Sequence, residues 1–308
     1  MPNSEKWYSA LNSLKLMHSE IAKLINGRSV AFLDVPMYYN VGDLLIFKGT
    51  EQFFKEHNIN VIHRSDCYKL RHKKIKEADV ILFQGGGNFG DIYPAFQNMR
   101  EKIVSKYKDK TIICLPQTIH FNSKDRENKS ANIFNQHKDF HFFVRDENSK
   151  EIAKQFTHNV KMMPDMAHSL HPLVDSSELT TNGVRILNLV RNDDESPQEK
   201  KFHVDKKSFD WEQIITQSDL ATRYACRFGN LTPLVNKSME LWLNHMDDVV
   251  FRSINHFYVH DVVKTDRLHG LILAVLLGKR VLLDDNSYGK NTSYYKAWIS
   301  DIDLIVLS

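Results

Sequence analysis

Thr265, Asp266, Arg267, Leu268 and His269 stand directly before Gly270 and the apolar run LILAVLLG. Three polar side chains at the mouth of so apolar a run either cap a helix and face water, or face a ligand. The run has helical length and ends in Gly278, and glycine closes helices because it accepts the left-handed backbone. Thr265 or Asp266 is the expected N-cap. Arg267 and His269 then fall in the first turn, where free amides and the helix dipole attract an anion. A cation at that end is unfavourable by about 0.3–1 kcal/mol unless an anion compensates it. The chemistry that fits is capture of an anionic ligand by Arg267 and the helix end. His269 adds a group that gains or loses a proton near neutral pH. The bland alternative is an Arg–Asp pair within the loop.

Those residues need a scaffold, and the rest of the chain spells one out. Continuous apolar runs at 29–35, 60–66, 78–84, 111–117, 140–146 and 160–165 predict buried strands, and helical patterns at 42–57, 91–107, 126–137 and 147–156 alternate with them. A helix is also expected over 4–26. That alternation predicts a parallel sheet covered on both faces. The Ser/Thr/Asn-rich stretch 170–183 reads as a linker, after which strands at 184–190, 260–266 and 280–285 predict a second αβ unit. The expected architecture is therefore α/β: two doubly wound αβ domains, 1–172 and 173–308, facing a cleft.

In open α/β sheets ligands bind beyond the carboxyl ends of the strands. The residues there are Asn40, Gly42 and Asp43; Gly86, Gly87, Asn88 and Asp91; Gln117; Arg145; Asp165; Thr265 to His269; and Asn286, Ser287, Tyr288 and Lys290. Asn40 to Asp43 reads as a helix cap or as a polar ligand contact. Arg145 reads as a bidentate partner for a carboxylate or phosphate, or as a partner of Asp146. Gly85, Gly87 and Gly90 spell a G-x-G-x-x-G, yet the motif does not follow the first strand. The next strand also ends in Pro and Gln rather than an acidic residue. A tight turn letting helix 91–107 pack closely, or a backbone-amide anion site, fits better than a dinucleotide fingerprint.

Bulk properties bound the rest. With 308 residues, 42% hydrophobic, the chain can bury a large core, and a net charge of +3 is too mild to argue for nucleic acid. The run LILAVLL is too short to span a bilayer, and the first residues hold no signal-peptide core. Cys67, Cys114 and Cys226 form no CxxC pair, which fits a reducing cytoplasm. His168 with His171, and His256 with His260, lack the companions a metal site needs, so no metal is expected. The basic stretch KLRHKKIK (69–76) reads first as a solvated helix and second as a contact with the inner membrane leaflet.

NVGDLLIFKG, GGGNFGD, LPQTI, PDMA, TDRLHG and DNSYGK occur in that order between about residues 30 and 298. The ordered set resembles the polysaccharide pyruvyl transferase family. The resemblance implies a fold similar to the two-domain GT-B glycosyltransferases, with the N-terminal domain on the acceptor side and the C-terminal domain on the donor side. It implies transfer of a pyruvyl group from phosphoenolpyruvate, as a ketal, onto a sugar of an exopolysaccharide or its precursor. Phosphoenolpyruvate is the donor substrate and no cofactor is needed; the acceptor is a sugar, free or lipid-linked, with no nucleic acid involved. The resemblance further implies that Arg145, Arg267 and His269, with Thr265 and Leu268, hold the donor, and that Arg267 and His269 are catalytic. A cytoplasmic enzyme, peripheral at the inner membrane face, follows. Two other readings share the same motifs: a glycosyltransferase using a nucleotide sugar, and a non-enzymatic anion- or sugar-binding protein.

Overall fold

The computed structural model describes residues 4–175, 184–190, 208–230, 232, 235–285 and 289–307. It contains two parallel sheets, each in its own compact unit. One unit comprises Leu16–Pro36 and Gly49–Ser169; the other comprises Met1–Lys15, Met37–Lys48 and Leu170–Ser308. The chain therefore does not divide at a single point near residue 172. Residues 37–48 and the first fifteen group with the C-terminal unit, because their apolar and polar partners lie there. Trp7 Nε1, for example, donates to the Val275 carbonyl at 2.8 Å.

The first unit holds β1 (Val30–Leu33), β2 (Val61–Ser65), β3 (Val80–Phe83), β4 (Gly86–Gly90), β5 (Thr111–His120), β6 (Phe140–Val144) and β7 (Asn159–Met162). Their order is β2-β1-β3-β5-β6-β7, all parallel, with β4 paired to β5. β1, β3 and the body of β5 are buried throughout, as expected for strands covered on both faces. Between them run α2 (Ser19–Ile25), the end of α3 (Val41–Glu56), α4 (His72–Glu77), α5 (Pro94–Lys106), α6 (Lys124–Asn135) and α7 (Glu147–Ala153). The N-terminal helix breaks at His18, so 4–26 is two helices: α1 (Ser4–Met17) and α2. A cluster of phenylalanines, with the Phe89 and Phe142 rings 4.6 Å apart, fills the core of this unit.

The glycine-rich stretch is the main departure here. Gly86 to Gly90 is neither a tight turn nor a helix start but a strand on β5, with Gly86 opposite Gln117 and Gly90 opposite His120. A Cβ at Gly90 would collide with the His120 carbonyl, and its φ of +141° suits only glycine. The glycines let β4 close on β5. α5 begins later, with Pro94 in its first turn, where the missing N–H costs nothing.

In the other unit β8 (Ile186–Leu189), β9 (Val262–Thr265), β10 (Arg280–Leu283) and β11 (Ile305–Leu307) form a parallel sheet in the order β11-β10-β9-β8. This order is consecutive. Among the described residues the unit has no point where strand order reverses, so the expected second doubly wound sheet is singly wound. Two long helices, α8 (Gln217–Asn230) and α9 (Val235–Tyr258), come between β8 and β9 in the chain. α10 (Leu268–Leu276) and α11 (Lys290–Tyr294) follow β9 and β10. No described helix is long and apolar enough to cross a membrane.

Buried ionisable groups in each unit give testable consequences. In the first, Arg145 and Asp165 form an ion pair with side chains 1% and 0% exposed. Removing one partner of such a pair leaves an unpaired buried charge. Asp165→Ala is expected to lose about 3–5 kcal/mol in urea unfolding, and Arg145→Met/Asp165→Leu to recover most of it. In the second unit His171 is buried against Trp7 and Tyr8, and neither ring nitrogen has a partner among the described residues. Burial, with a smaller contribution from nearby Lys15, pushes its pKa from 6.5 down to about 4. The unfolded chain thus takes up a proton that the folded chain refuses, and stability falls as pH drops from 6.5 towards 4. His171→Phe should flatten that part of a pH–stability curve measured by denaturant melts; an unchanged slope would remove His171 as its source.

Candidate active site

α10 starts the site. Every residue from Leu268 to Leu276 is buried except His269. A helix apolar on all sides belongs in a core, and one polar residue in its first turn needs a separate reason. The helix ends as its sequence predicts. Gly278 takes a left-handed φ of +64°, its N–H bonds the Val275 carbonyl, and Lys279 N–H bonds that of Ala274. This double closure fixes the C-terminus. At the other end the N-cap is Arg267 rather than Thr265 or Asp266. Thr265 instead turns its hydroxyl to accept the Arg267 N–H at 3.0 Å.

Arg267 is 9% exposed and donates from Nη2 to Asp210 Oδ2 at 2.6 Å. The anion that compensates a cation at this helix end is therefore Asp210, 57 residues earlier in the chain. The charge mismatch seen in the sequence needs no ligand to explain it, and its partner is not the neighbouring Asp266. Asp210 also caps the short turn Trp211–Ile214. Asn291, 1% exposed, ties the loops together by donating to the carbonyls of Asp266 at 2.6 Å and Asp284 at 3.1 Å. Neither Asp210 nor Asn291 stood out in the sequence. Asn291 follows Lys290 at the start of α11, and only the fold shows which of the two holds the loops.

The stretch Asn40 to Asp43 reaches the same place. Asn40 caps α3, its Oδ1 accepting the Gly42 N–H at 3.0 Å. A Cβ on Gly42 would lie 2.6 Å from His269 Nδ1 and 2.9 Å from its Cγ. The His269 ring thus rests on the bare first turn of α3, with its Nδ1 edge towards Gly42 and Nε2 on the far edge. Two helix N-termini, those of α3 and α10, converge on one imidazole. Asp43, in the first turn of α3, complements the positive end of its dipole.

Tyr39 anchors this loop, and the sequence reading did not find it. Its hydroxyl donates to the Asp219 carbonyl at 2.5 Å and lies 2.8 Å from His245 Nε2. Trp242 packs on its ring, and the Arg223 guanidinium sits 5.5 Å above the ring centre. Burial first, and the Asp219 charge second, raise the Tyr39 pKa, so the phenol stays protonated. Arg252 and Thr216 fix the Asp219 carboxylate. Lys48, one turn further along α3, pairs with Asp247 of α9.

The remaining expected site residues lie in the first unit and bond mainly to one another. Arg145 is fully buried and donates to Thr118 Oγ1 at 2.9 Å and to the Asp165 carboxylate. It joins the ends of β5, β6 and β7, and its carboxylate partner is Asp165 rather than the neighbouring Asp146. Asp165 is spent on Arg145 and on the Ala167 N–H. Gln117, fully buried, donates to the Gln84 carbonyl at 2.7 Å. Asn88 accepts from Arg100, which also pairs with Asp34 at the end of β1. Asp91 accepts the N–H groups of Asn122 and Ser123. Gly86 and Gly87 belong to β4. Strand order reverses between β1 and β3, where ligands commonly bind, and the Asp34–Arg100 pair stands there. Asn286, Ser287 and Tyr288 lie outside the described residues, as do 191–207 of the polar segment. Among the described residues no group of three or more His, Cys, Asp or Glu could hold a metal ion.

The profile of the polysaccharide pyruvyl transferases matches residues 40–245, two thirds of the sequence. The chain belongs to this family. It is 37% identical, over 94% of its length and 92% of the relative's, to the Bacillus subtilis protein named "Putative pyruvyl transferase EpsO". That alignment necessarily extends past residue 245. It is also 27% identical to the general stress protein 30 of the same species, covering 92% of the chain and 82% of the relative. Similarity to pyruvyl transferase 1 of Schizosaccharomyces pombe is 25%, covering 88% of the chain and 70% of the relative. A crystal structure of an uncharacterized Klebsiella pneumoniae protein shares the fold, with a TM-score of 0.58 at 21% identity, covering 95% of this chain and 98% of that one. Membership makes this protein a pyruvyl-transferase-type enzyme of polysaccharide synthesis.

The Gly42 contact yields a prediction. Gly42→Ala should leave α3 folded, since alanine suits a helix, but must push the His269 ring aside. Displacement of a reacting group by about 1 Å costs on the order of 10²-fold in rate. Turnover should fall by about that much while the unfolding midpoint moves little. Full activity in the variant would show that the ring position does not matter.

Proposed function

We propose that this protein transfers the pyruvyl group of phosphoenolpyruvate to a sugar of an exopolysaccharide or its precursor, forming a ketal and releasing phosphate. The observation that carries the proposal is His269. It is the one unburied residue of α10, held on a bare glycine where two helix N-termini meet, in a chain of this family.

Phosphoenolpyruvate brings a carboxylate and a phosphate, and the free amides at the start of α10 with the Arg267 guanidinium suit such an anion. Arg267 keeps one hydrogen bond on Asp210, which holds the guanidinium plane in place. Protonation of the methylene carbon makes carbon 2 electrophilic. One sugar hydroxyl adds there, and its proton balances the one delivered to carbon 3. A second hydroxyl of the same sugar then displaces phosphate, which leaves with the second proton as the ketal ring closes. His269, through Nε2, delivers or collects the proton; positioned acid–base catalysis of this kind is worth about 10²–10⁴-fold. No step calls for a metal or cofactor. The donor side falls on the unit of Arg267 and His269, and the other unit, with a GT-B-like division of labour, serves the acceptor. The reaction runs in the cytoplasm, where the donor is made.

The first test is thermal stability with phosphoenolpyruvate and, in parallel, uridine diphosphate sugars. A ligand at about a hundred times its dissociation constant adds roughly 2.7 kcal/mol, visible as a rise of several degrees. Phosphoenolpyruvate should stabilise the protein, and Arg267→Ala should abolish the shift. His269→Ala should keep the shift and lose turnover by about 10²-fold or more. A shift with nucleotide sugars alone would replace the donor by a sugar nucleotide.

A further inference from the structure

The basic stretch 69–76 carries five cations and no carboxylate, and in the first unit it does not stand alone. α5 sets Lys102 and Lys106, both exposed and one turn apart, beside it. These two lysines border a groove of about 590 Å³ with Leu70 and His72 at the start of α4 and Ile133 of α6. Tyr107 ties the two segments together. Its hydroxyl lies 2.9 Å from His72 Nδ1, and the Lys106 ammonium sits 5.8 Å from the centre of its ring. Like charges one turn apart on a helix destabilise it unless an anion lies between them.

The carboxylates around this face are already engaged. Glu77 faces Lys73, Lys74 and Lys76, and is bonded to Lys74 at 2.6 Å. Glu101, which also lines the groove, pairs with Arg126 at 3.0 Å. Asp66 accepts the N–H groups of Tyr68 and Lys69, and Asp79 accepts from Ser29. Asp109 is exposed beyond the end of α5, between Lys108 and Lys110. Lys69, Arg71, Lys73, Lys76 and Lys102 have no ion-pair partner among the described residues. Without the five cations of 69–76 and Lys102, Lys106 and Lys108, the formal charge of +3 would be −5, so the positive charge of the chain is concentrated here. The groove itself has an apolar floor in the half-buried Leu70 and Ile133, and Tyr68 is 67% exposed beside Lys69. A cationic rim over an apolar floor suits an anion with an apolar part, whereas a nucleic acid would meet the rim and leave the floor wet. We propose that this face of α4 and α5 docks on an anionic phospholipid surface. Its lysines meet lipid phosphates, and Tyr68 and Leu70 reach the headgroup boundary. A second copy of the chain is a poorer occupant, because a two-fold contact here would set lysine against lysine. Docking by this face is independent of the donor the enzyme uses.

Flotation of the full chain with vesicles tests it. Binding is expected to phosphatidylcholine vesicles containing about a third phosphatidylglycerol, to weaken with added salt, and to be slight on phosphatidylcholine alone. Lys102→Gln/Lys106→Gln and, separately, Lys73→Gln/Lys76→Gln should each weaken binding to the anionic vesicles about tenfold or more. These lysines are exposed and belong to the unit that does not hold His269, so thermal midpoints should not fall. Absence of binding to anionic vesicles, or binding indifferent to both double variants, overturns the proposal. So does a DNA oligonucleotide that binds the chain where anionic vesicles do not, which would assign the face to nucleic acid.

Discussion

His269 can lie against the start of α3 because residue 42 has no Cβ, and much of the site's geometry serves that contact. α10 must begin where β9 ends, so Thr265 turns its hydroxyl inward and holds the backbone of Arg267. Residues 37–48 must group with a sheet formed from the far end of the chain, so Tyr39 and Lys48 fasten them to α8 and α9. Asn291 holds the loops after β9 and β10 at a fixed spacing. These bonds hold the two backbone segments beside the imidazole, the loop before α10 and the start of α3. What results is an imidazole held in the first turn of a helix otherwise closed to solvent.

Arginine recurs beyond the strands, and the structure divides its uses. Arg100 and Arg145 are fully buried and matched by Asp34 and Asp165. A buried ion pair is weak evidence of net stability but a strong constraint, since neither partner tolerates loss of the other. Such pairs lock the carboxyl ends of the first sheet, where the strand order reverses. Arg267 is intermediate. It has a carboxylate partner in Asp210, yet it stands at the mouth of α10 beside His269. Its position, rather than its charge, separates it from the other two.

The parallel first sheet was legible in the sequence because its strands are continuous apolar runs between amphipathic helices. α10 was legible for the same reason, and its closure at Gly278 followed from glycine's freedom to adopt positive φ. Three local readings went astray where distant partners intervened. The glycines 86–90 look like a turn, but β5 continues beyond its core and offers a strand edge for them. Arg145 has Asp146 beside it as the nearest candidate partner, but it pairs with Asp165, 20 residues on. Arg267 looks uncompensated, but Asp210 lies 57 residues back.

The sequence by itself determined the class of fold, the family and the residues at the strand ends, since these depend on local periodicity and ordered motifs. The tertiary structure decided which of those residues share a site. It grouped Asn40 and Gly42 with His269 across more than two hundred residues of chain, and it turned Gln117, Arg145 and Asp165 into the core of the other unit. The physical reason is that a strand's end fixes where a polar side chain begins. Whether it meets a ligand or a partner depends on packing between segments far apart in the chain, which no local pattern encodes.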